Sequence, residues 1–280
     1  MVVSPIRDSG ALRYADDGDR DSTYAAVALH SIGADHRLWS ALVPTLTEQT
    51  GRALRPDTRG HGASDWPGTA SLTGWVRDLD DVLEHAGVEQ IDLLGVSMGG
   101  IQAMAYAAYR PERVRSLVVL DSFARLEPSE TDAKIEALAG MAQQFGMAAF
   151  AEKYVSDTVL DKDSPASVDL RDAIAGMPIA AFEATVEACF TADVLSVLPE
   201  IPCRSLVLWG ELDQKTTRHQ SEQIASGLPD ARLATIAGAG HLPMVDTPTE
   251  LASQLRTFSQ DGPRGRTVGS TTSSTDRSNE

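Results

Sequence analysis

The chain has 280 residues, enough for one large domain or a domain carrying an insertion. Its 42% hydrophobic content excludes a chain disordered throughout, and a net charge of −16 argues against nucleic acid or an anionic membrane surface as partner. A small anionic substrate stays compatible, because a local basic pocket overrides the global field. The two cysteines, Cys189 and Cys203, have no metal-like spacing and no disulfide framework, so no metal site is expected and a reducing compartment fits. The first ten residues contain no apolar stretch of signal-peptide length, and no apolar run is long enough to span a bilayer. The expectation is a soluble cytoplasmic protein with no membrane partner; whether it forms a homo-oligomer stays open.

In chain order, strands are predicted over 10–15 and 24–30, joined by an acidic turn, Asp16-Asp17-Gly18-Asp19. Trp39, Leu42, Val43 and Leu46 recur at helical spacing and predict a helix over 37–48, with Pro44 near its start or middle. A short strand over 52–57 leads into a glycine-rich loop, Asp57-Thr58-Arg59-Gly60-His61-Gly62-Ala63-Ser64-Asp65. Leu72, Trp75, Val76, Leu79, Val82 and Leu83 mark one face of a helix ending at Gly87. Ile91, Leu93 and Leu94 then make a buried strand, and an Ala-rich helix over 100–109 stops before Pro111.

Further strands are predicted over 116–121, 205–210 and 232–236, with helical patterns between them. This alternation implies a parallel sheet covered on both faces. The stretch 125–199 interrupts it. Its apolar residues, among them Phe145, Phe150, Tyr154, Phe182 and Phe190, all fall in helix-like patterns. It reads as an inserted helical cap, with an extension of the core as the alternative. The core is then 1–124 and 200–260. Thr247-Pro248-Thr249-Glu250 reads as a capping box for a last helix with Leu251, Leu255 and Phe258 inward. From 261 the chain is poor in apolar residues and rich in Ser, Thr and Gly, and a disordered tail is expected.

Between the 91–94 strand and the helix after it lies Gly95-Val96-Ser97-Met98-Gly99, which fits G-x-S-x-G. Strand, sharp turn and helix is the context of a nucleophile elbow. There Ser97 projects its hydroxyl above the sheet edge, beside the free N–H groups of a helix start. A serine needs a base near neutral pH. Of six histidines, His241 follows a flexible Ala-Gly-Ala-Gly stretch after the last strand and can reach the elbow. His30 and His61 read as structural, His85 as solvated, and His36 and His219 carry no motif.

The base needs an orienting carboxylate. Asp213 and Asp121 both follow strands at the carboxyl edge, where sites in open α/β sheets form. Asp213 is preferred because it satisfies the order nucleophile, acid, base; Asp121 is the alternative, or a cap or pocket residue. The developing oxyanion requires fixed donors. These are expected to be the backbone N–H of Met98 and that of Ile32, in the loop His30-Ser31-Ile32-Gly33. Arg125, just after the 116–121 strand, is a candidate partner for a substrate carboxylate, with a solvated Arg as the alternative.

With these pieces assembled, the chain resembles the α/β-hydrolase superfamily over nearly its whole length: HSIG after the early strand, DTRGHGAS, GVSMGG, a helical insertion, LWGELD and GAGH. More narrowly it is similar to the 3-oxoadipate enol-lactonase group, which shares the D-T-R-G-H-G loop, the S-M-G-G elbow and often a Ser at the position of Ser31. That resemblance implies an α/β-hydrolase fold with a mostly parallel doubly wound sheet, no cofactor, and an enol-lactone of a small dicarboxylic acid as substrate. S-M-G-G elbows also occur in C–C bond hydrolases, arylesterases and haloperoxidase-like perhydrolases. The expected activity is therefore hydrolysis of a small carboxylic ester or lactone by Ser97, His241 and Asp213. A carboxylesterase or perhydrolase of the same fold, and a receptor-like protein that binds without turnover, are the alternatives.

Overall fold

A computed structural model describes residues 6–10 and 12–261 of the chain. The expected tail, Asp261 excepted, lies outside the described residues. Eight strands form one sheet: β1 (Ile6–Asp8), β2 (Arg13–Gly18), β3 (Tyr24–Leu29), β4 (Arg52–Pro56), β5 (Gln90–Val96), β6 (Val114–Leu120), β7 (Arg204–Gly210) and β8 (Ala231–Ile236). Their spatial order is β1-β2-β4-β3-β5-β6-β7-β8. β1 and β2 run antiparallel to their neighbours, and β4 through β8 are parallel. The middles of the central parallel strands, at 25–29, 93–96, 117–120 and 206–208, are apolar and buried, as a sheet covered on both faces demands.

The helices are α1 (Val43–Thr50), α2 (Leu72–Ala86), α3 (Met98–Tyr109), α4 (Pro128–Ile135), α5 (Met141–Phe145), α6 (Met147–Thr158), α7 (Pro165–Gly176), α8 (Ile179–Phe190), α9 (Arg218–Gly227), α10 (Pro243–Asp246) and α11 (Pro248–Gln260). Helix α2 shows why they form. The Ser71 hydroxyl accepts the Gly74 N–H and caps the first turn; Trp75, Val76, Leu79, Val82 and Leu83 are buried; and Gly87 closes the helix at φ 67°. Each of those side chains contributes about 1.5–3 kcal/mol by leaving water. Fixing the backbone costs about 1–2 kcal/mol per residue. The helix therefore depends on its packed face, not on propensity alone. Among the described residues, the stretch between β6 and β7 contains helices and no strand, including a π-helical turn at Glu136–Gly140.

Four local expectations are corrected. The acidic stretch at 16–18 is not a turn but part of β2. Asp16 is buried there because the Arg52 guanidinium on β4 meets it with two hydrogen bonds, at 2.9 and 3.0 Å. Asp17 is likewise paired with Arg55, at 2.8 Å. Removing one partner of such a buried pair typically costs about 3–5 kcal/mol. The 37–48 helix is split into a 3₁₀ turn (His36–Leu42) and α1, because Pro44 has no N–H to continue the ladder and is accommodated in the first turn of a new helix. The strand expected over 116–121 begins two residues earlier, at Val114, and stops at Leu120. Pro248 does start α11, but Thr247 makes no side-chain cap and its hydroxyl is buried without a partner. The capping box present is at α9, where Thr217 and Gln220 bond reciprocally.

Candidate active site

The sheet register brings the candidate residues to one edge. Val96 pairs with Leu120 and Leu120 with Leu208, so Ser97 and Asp121 emerge side by side above the ends of β5 and β6. Gly210 pairs with Ile236, so Asp213 and His241 leave from the adjacent ends of β7 and β8. Two glycines make the approach of these loops achievable. A Cβ at Gly99 would stand 2.4 Å from the Leu29 carbonyl oxygen, so the start of α3 packs directly on the exit of β3. A Cβ at Gly210 would stand 2.2 Å from the Gly240 oxygen, so the β7 exit lies against the loop that carries His241.

Ser97 occupies φ 55°, ψ −119°, a backbone region that non-glycine residues rarely adopt. The strain persists because Ser97 N–H is bonded to the Leu120 carbonyl, and its own carbonyl accepts from Gly100 N–H and from the Ser122 hydroxyl at 2.7 Å. Its side-chain hydroxyl makes no hydrogen bond among the described residues, His241 included. Catalytic hydrogen bonds of this kind commonly close only with substrate in place. The N–H groups of Met98 and Ile32 are buried and meet no acceptor among the described residues. Buried backbone donors are rarely left so.

His241 is buried, and its Nδ1 lies 3.0 Å from Asp213 Oδ2. With a carboxylate as acceptor, Nδ1 is the protonated nitrogen and Nε2 is left free to accept a proton. Asp213 also accepts from Lys215 N–H at 2.7 Å and from the Thr216 hydroxyl at 2.5 Å. Burial opposes its ionisation, but the His241 ring, then Thr216 and Lys215, outweigh that and hold its carboxyl below the usual range. Thr216 was not foreseen; its sequence neighbourhood has no motif to mark it. Asp246 was also missed. Its Oδ2 accepts Gly240 N–H at 2.9 Å, next to His241, and its Oδ1 accepts Leu160 N–H at 2.8 Å. Burial lifts its carboxyl above the usual range, and those two N–H groups only partly offset it.

The loop His30-Ser31-Ile32-Gly33 is anchored by His30. Its Nδ1 donates to the Ser31 carbonyl at 2.8 Å and its Nε2 accepts Thr58 N–H at 2.9 Å. Only the neutral ring can do both, and burial lowers its pKa accordingly. His61 is held neutral too, its pKa lowered to about 3 by burial and then by His30. Arg125 is exposed, and its guanidinium faces Asp193 at 3.6 Å. It therefore already has a carboxylate partner in solvent. A half-buried cation nearer the site is Lys215, whose ammonium sits 5.5 Å from the Tyr154 ring centre. It makes no ion pair within 4.0 Å among the described residues.

Asp35, His36 and Asp57 bring ligand atoms within 4.8 Å of one another. Those atoms are engaged in knitting loops: Asp57 accepts from His36 N–H at 2.7 Å, His36 Nδ1 at 2.8 Å and Ala63 N–H at 2.9 Å. Asp35 binds Arg37.

The profile of the alpha/beta hydrolase family matches residues 26–254. The chain belongs to the alpha/beta hydrolase family. Similar members are 3-oxoadipate enol-lactonase 1 of Acinetobacter baylyi, 28% identical over 225 residues covering 80% of this chain and 84% of that one. The 2-hydroxymuconate semialdehyde hydrolase of Pseudomonas sp. strain CF600 is 28% identical over 229 residues, 79% of this chain and 80% of that one. Among solved structures, a hydrolase from Pseudomonas aeruginosa PA01 superposes with a TM-score of 0.78 at 29% identity, covering 88% of this chain and 93% of that one. Family and relatives together support hydrolase activity in this alpha/beta hydrolase. No single described helix is long and apolar enough to cross a membrane.

Proposed function

We propose that this alpha/beta hydrolase is a serine hydrolase of small carboxylic esters or lactones, with an enol-lactone as the favoured substrate class. The reading is carried by one observation: a buried Asp213–His241 pair at the same sheet edge as a strained serine. Ser97 Oγ attacks the carbonyl as His241 Nε2 takes its proton. The negative oxygen settles between the N–H groups of Met98 and Ile32, each such donor being worth about 3–4 kcal/mol in the transition state. His241 returns the proton to the leaving oxygen, which in an enol-lactone departs as an enol. Asp213 holds the imidazole in its tautomer and stabilises the imidazolium. Water, deprotonated by His241, then frees the acid.

The enol-lactonase among the relatives supports the lactone. The helices of 125–199 serve as the cap in this reading, with Phe150, Phe182 and Tyr154 forming an aromatic cluster within it. A neutral ester is the second reading, favoured by the pairing of Arg125 with Asp193.

The test is labelling by a fluorophosphonate probe together with turnover of muconolactone-derived enol-lactone and a panel of nitrophenyl esters. Ser97→Ala abolishes labelling and lowers kcat by about 10⁴-fold or more. Retained labelling in that variant, or single-turnover behaviour of the native protein, overturns the reading.

A further inference from the structure

Asp121 is the buried acid that the mechanism above leaves unused. It follows β6 at the level of Ser97, has no exposed surface, and holds φ 43°, in the left-handed region. Its Oδ1 accepts the Gly210 N–H at 2.7 Å. The Gly210 carbonyl in turn accepts the Asp213 N–H at 3.0 Å. Thus one residue, Gly210, joins the Asp121 carboxyl to the turn that carries Asp213. Asp121 Oδ2 is buried and meets no hydrogen-bond donor among the described residues. Of the charges that act on this carboxyl, Asp213, on the turn that Gly210 opens, outweighs Asp246.

Two buried carboxyls held at one turn disfavour each other's ionisation. The donors decide which keeps the charge. Asp213 is supplied by Lys215 N–H, Thr216 N–H, the Thr216 hydroxyl and His241. Asp121 has the Gly210 N–H alone. The proton therefore belongs on Asp121, where it turns the orphan oxygen into a donor. Burial and then the Asp213 charge hold the Asp121 carboxyl well above the usual range, in agreement.

We propose that Asp121 is a positioning residue for the Asp213–His241 pair: a protonated carboxyl that clamps the Gly210–Asp213 turn through one oxygen and shares its proton with Asp213 through the other. Its catalytic consequence rests on the serine-hydrolase reading; its effect on the imidazole does not. Sharing the proton spreads the Asp213 charge over two carboxyls and weakens its pull on the imidazolium. His241 then faces a tempered anion, with Asp246 as the other acid beside it.

The experiment is an NMR titration of the His241 ring in the full chain, with Asp121→Asn and Asp121→Ala variants, alongside the pH profile of kcat/KM on p-nitrophenyl acetate. Asn keeps an acceptor for Gly210 and a donor for Asp213. It is expected to leave the imidazole midpoint and the acidic limb in place, with kcat within about threefold of native. Ala removes the donor, so both midpoint and limb move to higher pH, and kcat falls about tenfold with KM unchanged. Asp121→Ser, too short to reach Asp213, replaces Ala if that variant does not fold. A midpoint lowered by Asn means that Asp121 is ionised in the native protein and overturns the proposal. So does a midpoint unmoved by Ala or Ser. If the native protein turns over no ester while the titrations behave as expected, the serine-hydrolase reading fails and the shared proton stands.

Discussion

Asp246 accepts the Gly240 N–H at 2.9 Å with one carboxylate oxygen, and with the other it holds Leu160 N–H at 2.8 Å, 86 residues away. One side chain thus ties the loop bearing His241 to the helices between β6 and β7. Asp246→Asn retains one acceptor oxygen and turns an N–H₂ toward the other donor, so one tether is lost. A hydrogen bond to a charged group is worth about 1.5–3 kcal/mol, so kcat/KM is expected to fall about tenfold or more. Steady-state kinetics and faster amide exchange at Gly240 or Leu160 check this; unchanged exchange at both sites rejects it.

The backbone strain at Ser97 predicts a separation of stability from activity. Its φ 55°, ψ −119° conformation costs about 1–3 kcal/mol for a residue with a side chain. Glycine escapes that cost but loses about 0.5–1 kcal/mol through its more flexible unfolded chain. Ser97→Gly is expected to stabilise the fold by about 1 kcal/mol while abolishing turnover, and Ser97→Ala to abolish turnover without the gain. Urea unfolding of both variants beside the native chain makes the comparison.

Lys215 tests whether the site reads substrate charge. It is half-buried against Tyr154, burial lowers its pKa, and its backbone N–H is bonded to Asp213. Lys215→Met is expected to raise KM for an anionic enol-lactone about tenfold, the equivalent of about 1.4 kcal/mol. KM for p-nitrophenyl acetate should not change. An equal rise for both substrates points to packing, not charge, as the role of the lysine.

Asp57 provides a pH signature away from the chemistry. Burial opposes its ionisation, but the hydrogen bonds from His36 and the Ala63 N–H more than offset it and set its carboxyl below the ordinary value of 3.8. A folded value below the unfolded one means stability that is fully present above 3.8 and is lost as pH falls through the folded value. Asp57→Asn is therefore expected to cost about 1–3 kcal/mol at pH near 6. The gap to the native chain should narrow below pH 3.8. A gap that is constant with pH would assign the loss to packing alone.

How far the sequence could be read depended on the distance over which each residue finds its partner. The parallel strands and α2 were legible because their apolar periodicity is local. The elbow was legible because glycine, serine and glycine must be neighbours for the turn to form. The β2 acids were misread because charge in a short segment looks solvated, while the Arg52 that neutralises Asp16 is 36 residues away. Asp246 was missed for the same reason, as it closes the short helix α10 and its second partner lies in another segment. Thr247 misled in the opposite sense: the local pattern of a capping box was present, but its hydroxyl is buried without the expected bond.

The placement of β5 inside the sheet, with β3 and β6 on its flanks and β7 and β8 farther out, has a mechanical result. The serine peptide is braced by strands on both sides, whereas the imidazole follows the outermost strand, on a loop that side chains such as Asp213 and Asp246 tie down. Heat should therefore loosen the periphery first, so that the protein stops working while its interior is still intact, and cooling before the interior gives way should restore it.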